Sequence, residues 1–189
     1  WNLARFAECI ITLIDDNKDK AIEVATETIN SFEKIYEEKW LNMMRDKIGL
    51  FGEDNNDQIL IMELLTWMHK NKVDYTNTFC FLMNEQFSDN EIYNDKNFLI
   101  WKEKWKSRLK INNNSQEKYT KLMHSVNPLI IPRNHKVEEA LAAANDGNLE
   151  VMNKLLTVLE KPYENQSDIA DFQSPAPLSN KNYQTFCGT

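Results

Sequence analysis

The thiol of Cys187 is the side chain of this sequence that is best placed to do chemistry. It is the third residue from the carboxyl end of the given chain, and the small residues Gly188 and Thr189 follow it. Upstream, Pro175 and Pro177 lie in a stretch without apolar periodicity, so the backbone is free to carry the thiol to a distant partner. We therefore predict a redox role for Cys187. An incidental terminal thiol is the alternative that these residues leave open.

No other nucleophile or metal site can be assembled from the sequence. Cys9 and Cys80 lie between apolar residues, which predicts that both are small hydrophobic fillers. His69, His124 and His135 are far apart and have no metal-ligand spacing around them. We therefore predict no catalytic residue, no cofactor-binding residue and no metal ligand in this chain.

Nucleotide-binding motifs are also missing from the sequence. No Gly-rich loop is present that would hold a phosphate. The tripeptide Leu50–Gly52 differs from the kinase metal-binding Asp-Phe-Gly where Asp is required, and Leu cannot ligate Mg²⁺, so we interpret it as a helix stop. The segment Leu141–Val151 is similar to an ankyrin helix–turn–helix, but no second copy exists, which favours one local helical hairpin.

Composition limits the class of protein. The 189 residues include only four Gly and five Pro, which favours helices over a turn-rich β architecture. The net charge of −7 gives a nucleic acid little to bind, and no apolar run approaches the roughly 20 residues that span a bilayer. Three separated cysteines indicate a reducing compartment. We expect a cytoplasmic protein that binds neither nucleic acid nor membrane.

Apolar residues recur at three- and four-residue steps along most of the chain, which is typical of amphipathic helices. The second of these helices is either continuous or bent near Ser31. Pro128 and Pro132 bracket an extended segment after the sixth helix. The predicted helices cover residues 1–14, 19–48, 57–68, 74–82, 98–109, 115–126, 135–145 and 149–159.

Capping residues mark several of the predicted helix ends. Gly49 and Gly147 supply stops, because glycine accepts the left-handed conformation that ends a helix. The predicted N-caps are Asp74, Ser115 and either Asn56 or Asp57. Together these signals predict an all-α fold, an irregular multi-helix bundle over residues 1–161 with an extended, Pro-containing tail over residues 162–189.

The helical steps also predict which side chains are buried. Trp101 and Trp105 fit core anchors better than a ligand platform. Each of the first two helices places its apolar residues on one face, and the two helices of the final hairpin should face each other through theirs. These sets are Leu3, Phe6, Ala7, Ile10, Ile11 and Ile14; Ile22, Ala25, Ile29, Phe32, Tyr36, Trp40, Met43 and Met44; and Ala140, Leu141 and Ala144 against Met152, Leu155, Leu156 and Leu159.

Five short segments of the sequence form a recognisable set by their order and spacing. They are Trp1–Glu8, Asp74–Phe79, Val126–His135, Lys161–Tyr163 and Phe186–Thr189. Together they resemble the C-terminal region of the selenoprotein O family. The resemblance implies a larger parent with a kinase-like fold, which uses ATP and Mg²⁺ to transfer AMP to Ser, Thr or Tyr hydroxyls of target proteins. It also implies that the catalytic and metal-binding residues all precede the first of these segments.

The resemblance therefore implies that this chain is the non-catalytic helical module that packs on its own N-terminal kinase-like region. Cys187 matches a position that holds selenocysteine or cysteine in the family, which implies a disulfide with a partner in the kinase-like part. The closing Cys-Gly-Thr departs from the Cys-Ser-Ser of many relatives, and this leaves the reactivity of the thiol open.

Two questions stay open at this point. A freestanding helical adaptor, which would bind a partner protein through the hairpin at residues 136–159 or through the face of Trp101 and Trp105, is the alternative function. Arg133, Asn134 and His135 either contact the active region or satisfy backbone groups in the proline-bracketed loop.

Overall fold

The computed structural model describes residues 1–84, 91–167 and 169–176. Within these ranges the fold is all-α, as predicted, and contains no β-strand. A short 3₁₀ turn at Glu91–Asn94 precedes the fifth helix. The helices are α1 (Asn2–Ile14), α2 (Lys18–Lys47), α3 (Asp57–Asn71), α4 (Tyr75–Asn84), α5 (Lys96–Lys110), α6 (Gln116–Val126), α7 (Asn134–Asn145), α8 (Glu150–Leu159) and α9 (Ala170–Gln173).

The chain divides into two compact units, residues 1–44 and the residues from Arg45 onward. The first unit contains α1 and most of α2, and α2 is one continuous helix of 30 residues without a break at Ser31. The described helices are each too short or too polar to span a lipid bilayer.

Many apolar residues of the first unit are exposed. Helix α1 contains no buried residue, and Phe6 is 63% exposed. On α2, Ala25 is buried, but Phe32 and Tyr36 on the same stripe are exposed. Periodicity determines which residues share a helix face, whereas burial requires a second surface that covers this face. Cys9 on α1 is exposed as well, so its prediction as a hydrophobic filler is wrong.

An aromatic cluster forms the core of the second unit, between α3, α4, the 3₁₀ turn and α5. The rings of Phe81 and Tyr93 stack with centroids 3.9 Å apart, and those of Trp101 and Trp105 stack at 5.8 Å. The indole N–H of Trp101 donates to the Leu60 carbonyl at 2.8 Å, which satisfies a polar group that burial would otherwise leave unpaired. Both tryptophans are buried core anchors, as predicted.

Most of the predicted helix ends are confirmed. The Asp74 carboxylate accepts from the backbone N–H of Asn77 at 2.8 Å, and Ser115 caps α6. Gly49 has φ +73° just after α2. Asn56 is the N-cap residue of α3, one of the two predicted, but its side chain makes no cap hydrogen bond, and Asp57 is buried between two arginines.

Helices α7 and α8 form the predicted hairpin, with Gly147 at φ +84° in the turn. Ala140 and Leu155 are buried, as the facing arrangement requires. Leu141 and Leu156, which were predicted on the facing sides of the hairpin, are 55% and 53% exposed. A two-helix hairpin covers only a narrow stripe of each helix, and residues one step round the helix stay outside it.

The start of the segment predicted as a tail is held by the second unit. The Pro162 carbonyl accepts from the backbone N–H of Leu129 at 2.7 Å, and Ile169 and Phe172 of the α9 region are buried. Residues 177–189, which include Cys187, lie outside the described residues.

Candidate functional site at the proline-bracketed segment

The extended segment at residues 127–133, between α6 and α7, connects parts of the second unit that are distant in sequence. Its backbone has no helix, and the N–H groups of Leu129 and Ile130 both donate to the Pro162 carbonyl, at 2.7 and 3.3 Å. The Leu129 carbonyl accepts from the side-chain amide of Gln173 at 3.0 Å. Two other segments of the second unit, around Pro162 and around Gln173, therefore bond to the backbone of this segment.

Arg133 connects this segment to the start of α4. Its guanidinium donates to both carboxylate oxygens of Asp74, at 2.7 and 3.1 Å, and to the side-chain carbonyl of Asn77 at 3.0 Å. A two-point arginine–carboxylate pair is stronger and more directional than a single contact. The structure therefore brings together two of the motifs singled out in the sequence, Asp74–Phe79 and Val126–His135.

Asn77 extends the same network to α9. Its side-chain amide donates to the Gln173 carbonyl at 3.1 Å, while the Gln173 side chain reaches Leu129. At the other end of the segment, the Asn127 amide donates to the carbonyls of Lys47 and Met123 at 2.8 and 2.9 Å. These bonds connect the extended segment to the ends of α2 and α6, and the Met123 carbonyl also accepts from the backbone N–H of Asn127 at 2.9 Å.

The electrostatics of Asp74 follow from these contacts. Burial opposes ionisation of the carboxyl, but the hydrogen bonds and positive charge of Arg133, with the backbone N–H of Asn77, outweigh it. The pKa of Asp74 is therefore lowered from its ordinary value of 3.8. A carboxylate held in this state is a poor general acid or base at neutral pH.

Cys80 contacts the extended segment: its thiol donates to the Pro128 carbonyl at 3.6 Å. Burial raises the pKa of Cys80 to about 11, and the negative charge of Asp74 adds to the rise. The thiolate, the nucleophilic form, is therefore rare at neutral pH. Cys80 is a buried filler, as predicted.

Lys47 approaches the same region from the end of α2. Its ammonium lies over the Phe79 ring, 4.8 Å from the centroid, and over the Tyr75 ring at 5.7 Å. Burial lowers the pKa of Lys47 and raises that of Tyr75. These contacts are typical of cation–π packing that stabilises a helix junction.

The three residues whose role the sequence left open occupy different environments. Arg133 holds the network just described, and its Nε is buried without an acceptor among the described residues. Asn134, the first residue of α7, is exposed, and His135 is half-buried. Within this chain Arg133 therefore bonds side chains of α4 rather than the backbone groups expected from the sequence.

A second charged cluster was missed by the sequence reasoning. The Asp57 carboxylate is fully buried and accepts from Arg45 Nε at 2.8 Å and from Arg108 Nε at 2.7 Å. Arg108 lies seven residues after Trp101, on the buried face of α5. This spacing could have predicted from the sequence that Arg108 is buried and needs a negatively charged partner. Arg108 also donates to the carbonyls of Phe51 and Gly52, so the tripeptide at residues 50–52 is a loop held by α5.

The two paired carboxylates of these clusters do not face an open site. Carboxylate oxygens that bind Mg²⁺ must face the cation, whereas those of Asp57 and Asp74 face arginines. Within the described ranges, no group of three His, Cys, Asp or Glu side chains could hold a metal ion.

A groove of about 740 Å³ between α3 and α5 is lined by apolar residues such as Met62 and Ile100, with an exposed Glu63–Lys104 pair at its rim.

Comparison with known proteins decides the family. The model of the family described as Protein adenylyltransferase SelO matches residues 1–160. The chain belongs to this SelO family. The match confirms the resemblance seen in the sequence, and it covers both the Asp74–Arg133 pair and the Asp57 cluster.

Several known proteins are similar to this chain over its whole length and are longer than it is. It is 55% identical over 189 residues to the Protein nucleotidyltransferase YdiU of Pelagibacter ubique, 43% identical over 189 residues to that of Clostridium beijerinckii and 44% identical over 190 residues to that of Alcanivorax borkumensis. Each match covers all of this chain and 39% of the relative. The chain therefore spans about two fifths of the length of these SelO-family proteins.

Proposed function

We propose that the chain is the helical, non-catalytic C-terminal part of a protein adenylyltransferase. In this proposal the full-length protein acts in the cytoplasm and transfers AMP from ATP, with Mg²⁺, to Ser, Thr or Tyr hydroxyls of target proteins. Residues outside this chain, in a kinase-like region, perform the transfer. The SelO family match over residues 1–160 and the 39% share of the YdiU relatives support this proposal.

The observation that carries the non-catalytic assignment is the pairing of the buried charges. The two motif residues Asp74 and Arg133 neutralise each other, and Asp57 is held by two arginines. Charged side chains that pair with each other in the folded state contribute to the stability of the fold, and they are not free to bind a phosphate or a metal ion. The described part of the chain is therefore suited to support a catalytic region rather than to contain one.

The test compares the 189-residue chain with the full-length protein. Calorimetry with ATP and Mg²⁺ should detect binding only to the full-length protein, and mass spectrometry should find AMP on target hydroxyls only with that protein. Micromolar, Mg²⁺-dependent ATP binding by the 189-residue chain alone would contradict the non-catalytic assignment. A full-length protein that binds ATP but adds no AMP to any protein would contradict the proposed activity.

We also propose that Cys187 forms a regulatory disulfide with a thiol of the kinase-like region. The support is its position in a sequence of small and proline residues, together with the family resemblance of the closing segment. The protein's two thiols would be oxidised by thiol–disulfide exchange with oxidised glutathione. This reaction forms one protein disulfide and releases two molecules of reduced glutathione.

Peptide mapping of the full-length protein under non-reducing conditions tests the disulfide. A cross-linked peptide containing Cys187 should appear after treatment with oxidised glutathione and disappear in Cys187→Ser. Cys80→Ser is the matched control, because the Cys80 thiol is buried and should not exchange. An oxidised protein in which Cys187 stays a free thiol, or a Cys187→Ser variant with the same cross-links, would refute the redox proposal.

A freestanding adaptor is the second candidate, and one observation favours it. Leu141, Leu149 and Leu156 of the α7–α8 hairpin are each about half exposed, which leaves apolar surface for a partner protein. The other surface considered for an adaptor is not available, because Trp101 and Trp105 are buried. A reading frame restricted to these residues would support the adaptor, whereas kinase-like lysine and metal motifs upstream of Trp1 would support the adenylyltransferase.

A further inference from the structure

The groove between α3 and α5 is an open apolar surface of the second unit. Its walls include Ile59 and Met62 of α3 and Ile100 of α5, which are 59%, 47% and 49% exposed. The buried residues Trp67 and Trp101 also line it. Apolar residues that are exposed singly are ordinary, whereas a contiguous exposed apolar surface marks an interaction site. The walls of this groove are therefore a candidate contact surface.

The dimensions of the α3–α5 groove fit a helix. Its lining residues on α3 run from Gln58 to Lys70, which corresponds to about 18 Å of helix. A groove between two neighbouring helices accepts an amphipathic helix, which inserts apolar residues at three- and four-residue steps. A small-molecule site encloses most of its ligand, whereas the three apolar wall residues here are about half exposed. This exposure favours a protein partner over a small molecule.

The charge of α5 indicates what kind of helix would bind. This helix contains six basic side chains and one acidic side chain, in a chain whose net charge is −7. Lys70 and Lys104 line the groove, and the acidic Glu63 beside them is paired with Lys104 at 2.7 Å. A positive surface attracts and orients a negative partner. The other exposed lysines of α5 are Lys96, Lys106 and Lys110.

We propose that the α3–α5 groove binds an acidic amphipathic helix of a partner protein. Apolar side chains of that helix would contact Ile59, Met62 and Ile100, and its acidic side chains would face the lysines of α5. An anionic lipid surface is also negative, but it is flat, whereas a helix can enter the space between α3 and α5. The proposal goes beyond the proposed function, because neither AMP transfer nor Cys187 takes part in it.

A selection from random peptides tests the proposal without assuming a partner sequence. Peptides of about 14 residues, long enough to span the groove as a helix, are displayed on phage and selected on the full-length protein. We expect to recover peptides that bind Ile100→Asp at least about tenfold more weakly. These peptides should be acidic, with apolar residues at three- and four-residue steps.

Two further substitutions in the full-length protein control the selection. Met62→Asp, on the opposite wall of the groove, should weaken the same peptides as strongly as Ile100→Asp, so the result does not depend on the folding of one variant. Leu156→Asp, at a comparably exposed apolar position on α8, should change their affinity by less than about twofold. Equal effects of Ile100→Asp and Leu156→Asp would overturn the assignment of the groove.

Charge reversal tests the acidic character of the partner. Lys104→Glu should weaken the selected peptides at least about threefold at low salt, and the difference should shrink as the ionic strength rises. Lys161→Glu is the matched control, because Lys161 also forms an exposed ion pair, with Glu164, and does not line the groove. Equal effects of Lys104→Glu and Lys161→Glu would refute the electrostatic part of the proposal.

Three other outcomes would overturn the proposal. If no selected peptide depends on Ile100, the groove does not accept a helix in the full-length protein. If the peptides that depend on Ile100 are neutral or basic, the partner is not acidic. If no peptide but phosphatidylserine vesicles bind, and Ile100→Asp abolishes this binding, the groove contacts a membrane. The binding measurements need no ATP, so their failure and the failure of AMP transfer are separate results.

Discussion

The guanidinium of Arg133 and the carboxylate of Asp74 form a two-point ion pair across 59 residues of sequence, with N···O distances of 2.7 and 3.1 Å. The pair joins the proline-bracketed segment to the start of α4, and Asn77 extends it to Gln173. It is the contact that connects two of the family motifs in space. We therefore expect the ion pair to contribute measurably to the folding stability of the second unit.

Removal of one partner of this pair should destabilise the fold. Asp74→Ala leaves the Arg133 side chain, which is 9% exposed, without its counter-charge, and we expect a loss of about 2–4 kcal/mol in the free energy of unfolding. Urea denaturation followed by helical circular dichroism measures this loss. Adding Arg133→Ala to Asp74→Ala should cost less than the two single losses combined. Additive effects would show that the ion pair contributes nothing of its own.

The pH dependence of stability should follow from the lowered pKa values of Asp57 and Asp74. A carboxyl with a lower pKa in the folded state binds fewer protons than in the unfolded state, so its contribution is present above the ordinary pKa of 3.8 and is lost as the pH falls below it. We expect the urea midpoint to decline as the pH is lowered through about 4. The decline should be shallower in Asp74→Asn, and an identical slope would contradict the role of this carboxyl.

A substitution in the buried Asp57 cluster should lower the stability of the protein more than a substitution in an exposed ion pair. Asp57→Asn removes the charge that holds Arg45 and Arg108, which should cost about 3–5 kcal/mol of stability. The matched control is Glu63→Gln, which breaks the exposed pair with Lys104 and should cost less than about 1 kcal/mol. Thermal unfolding of the two variants compares them, and similar melting temperatures would refute the distinction.

Two glycines with similar backbone angles should respond differently to alanine. Gly49 has φ +73°, and an added Cβ would lie 3.0–3.1 Å from Met123 and Tyr119, so strain and overpacking add to about 2–4 kcal/mol for Gly49→Ala. Gly147 has φ +84° in open space, so Gly147→Ala should cost only the backbone strain, about 1–2 kcal/mol. Urea midpoints measure both variants, and a larger loss for Gly147→Ala would contradict the structure.

The sequence by itself determined the helices, several of their ends and the buried tryptophans. Asp74, Ser115 and Gly49 act within one or two turns of their own position, and Trp101 and Trp105 repeat at a helical step. These features depend on backbone geometry and on residues that are close in sequence, so they can be predicted from the amino-acid sequence. Membership of the SelO family was likewise visible in short segments of the sequence, because a family motif is a local run of residues.

Only the tertiary structure decided which charges pair and which apolar faces are covered. Asp57 looked like a helix cap but pairs with Arg45 and Arg108, and the partner of Asp74 lies 59 residues away. The apolar stripe that buries Ala25 leaves Phe32 exposed. Helical periodicity specifies a direction on one helix, whereas an ion pair or a buried face requires a second surface whose position follows from the packing of the whole chain.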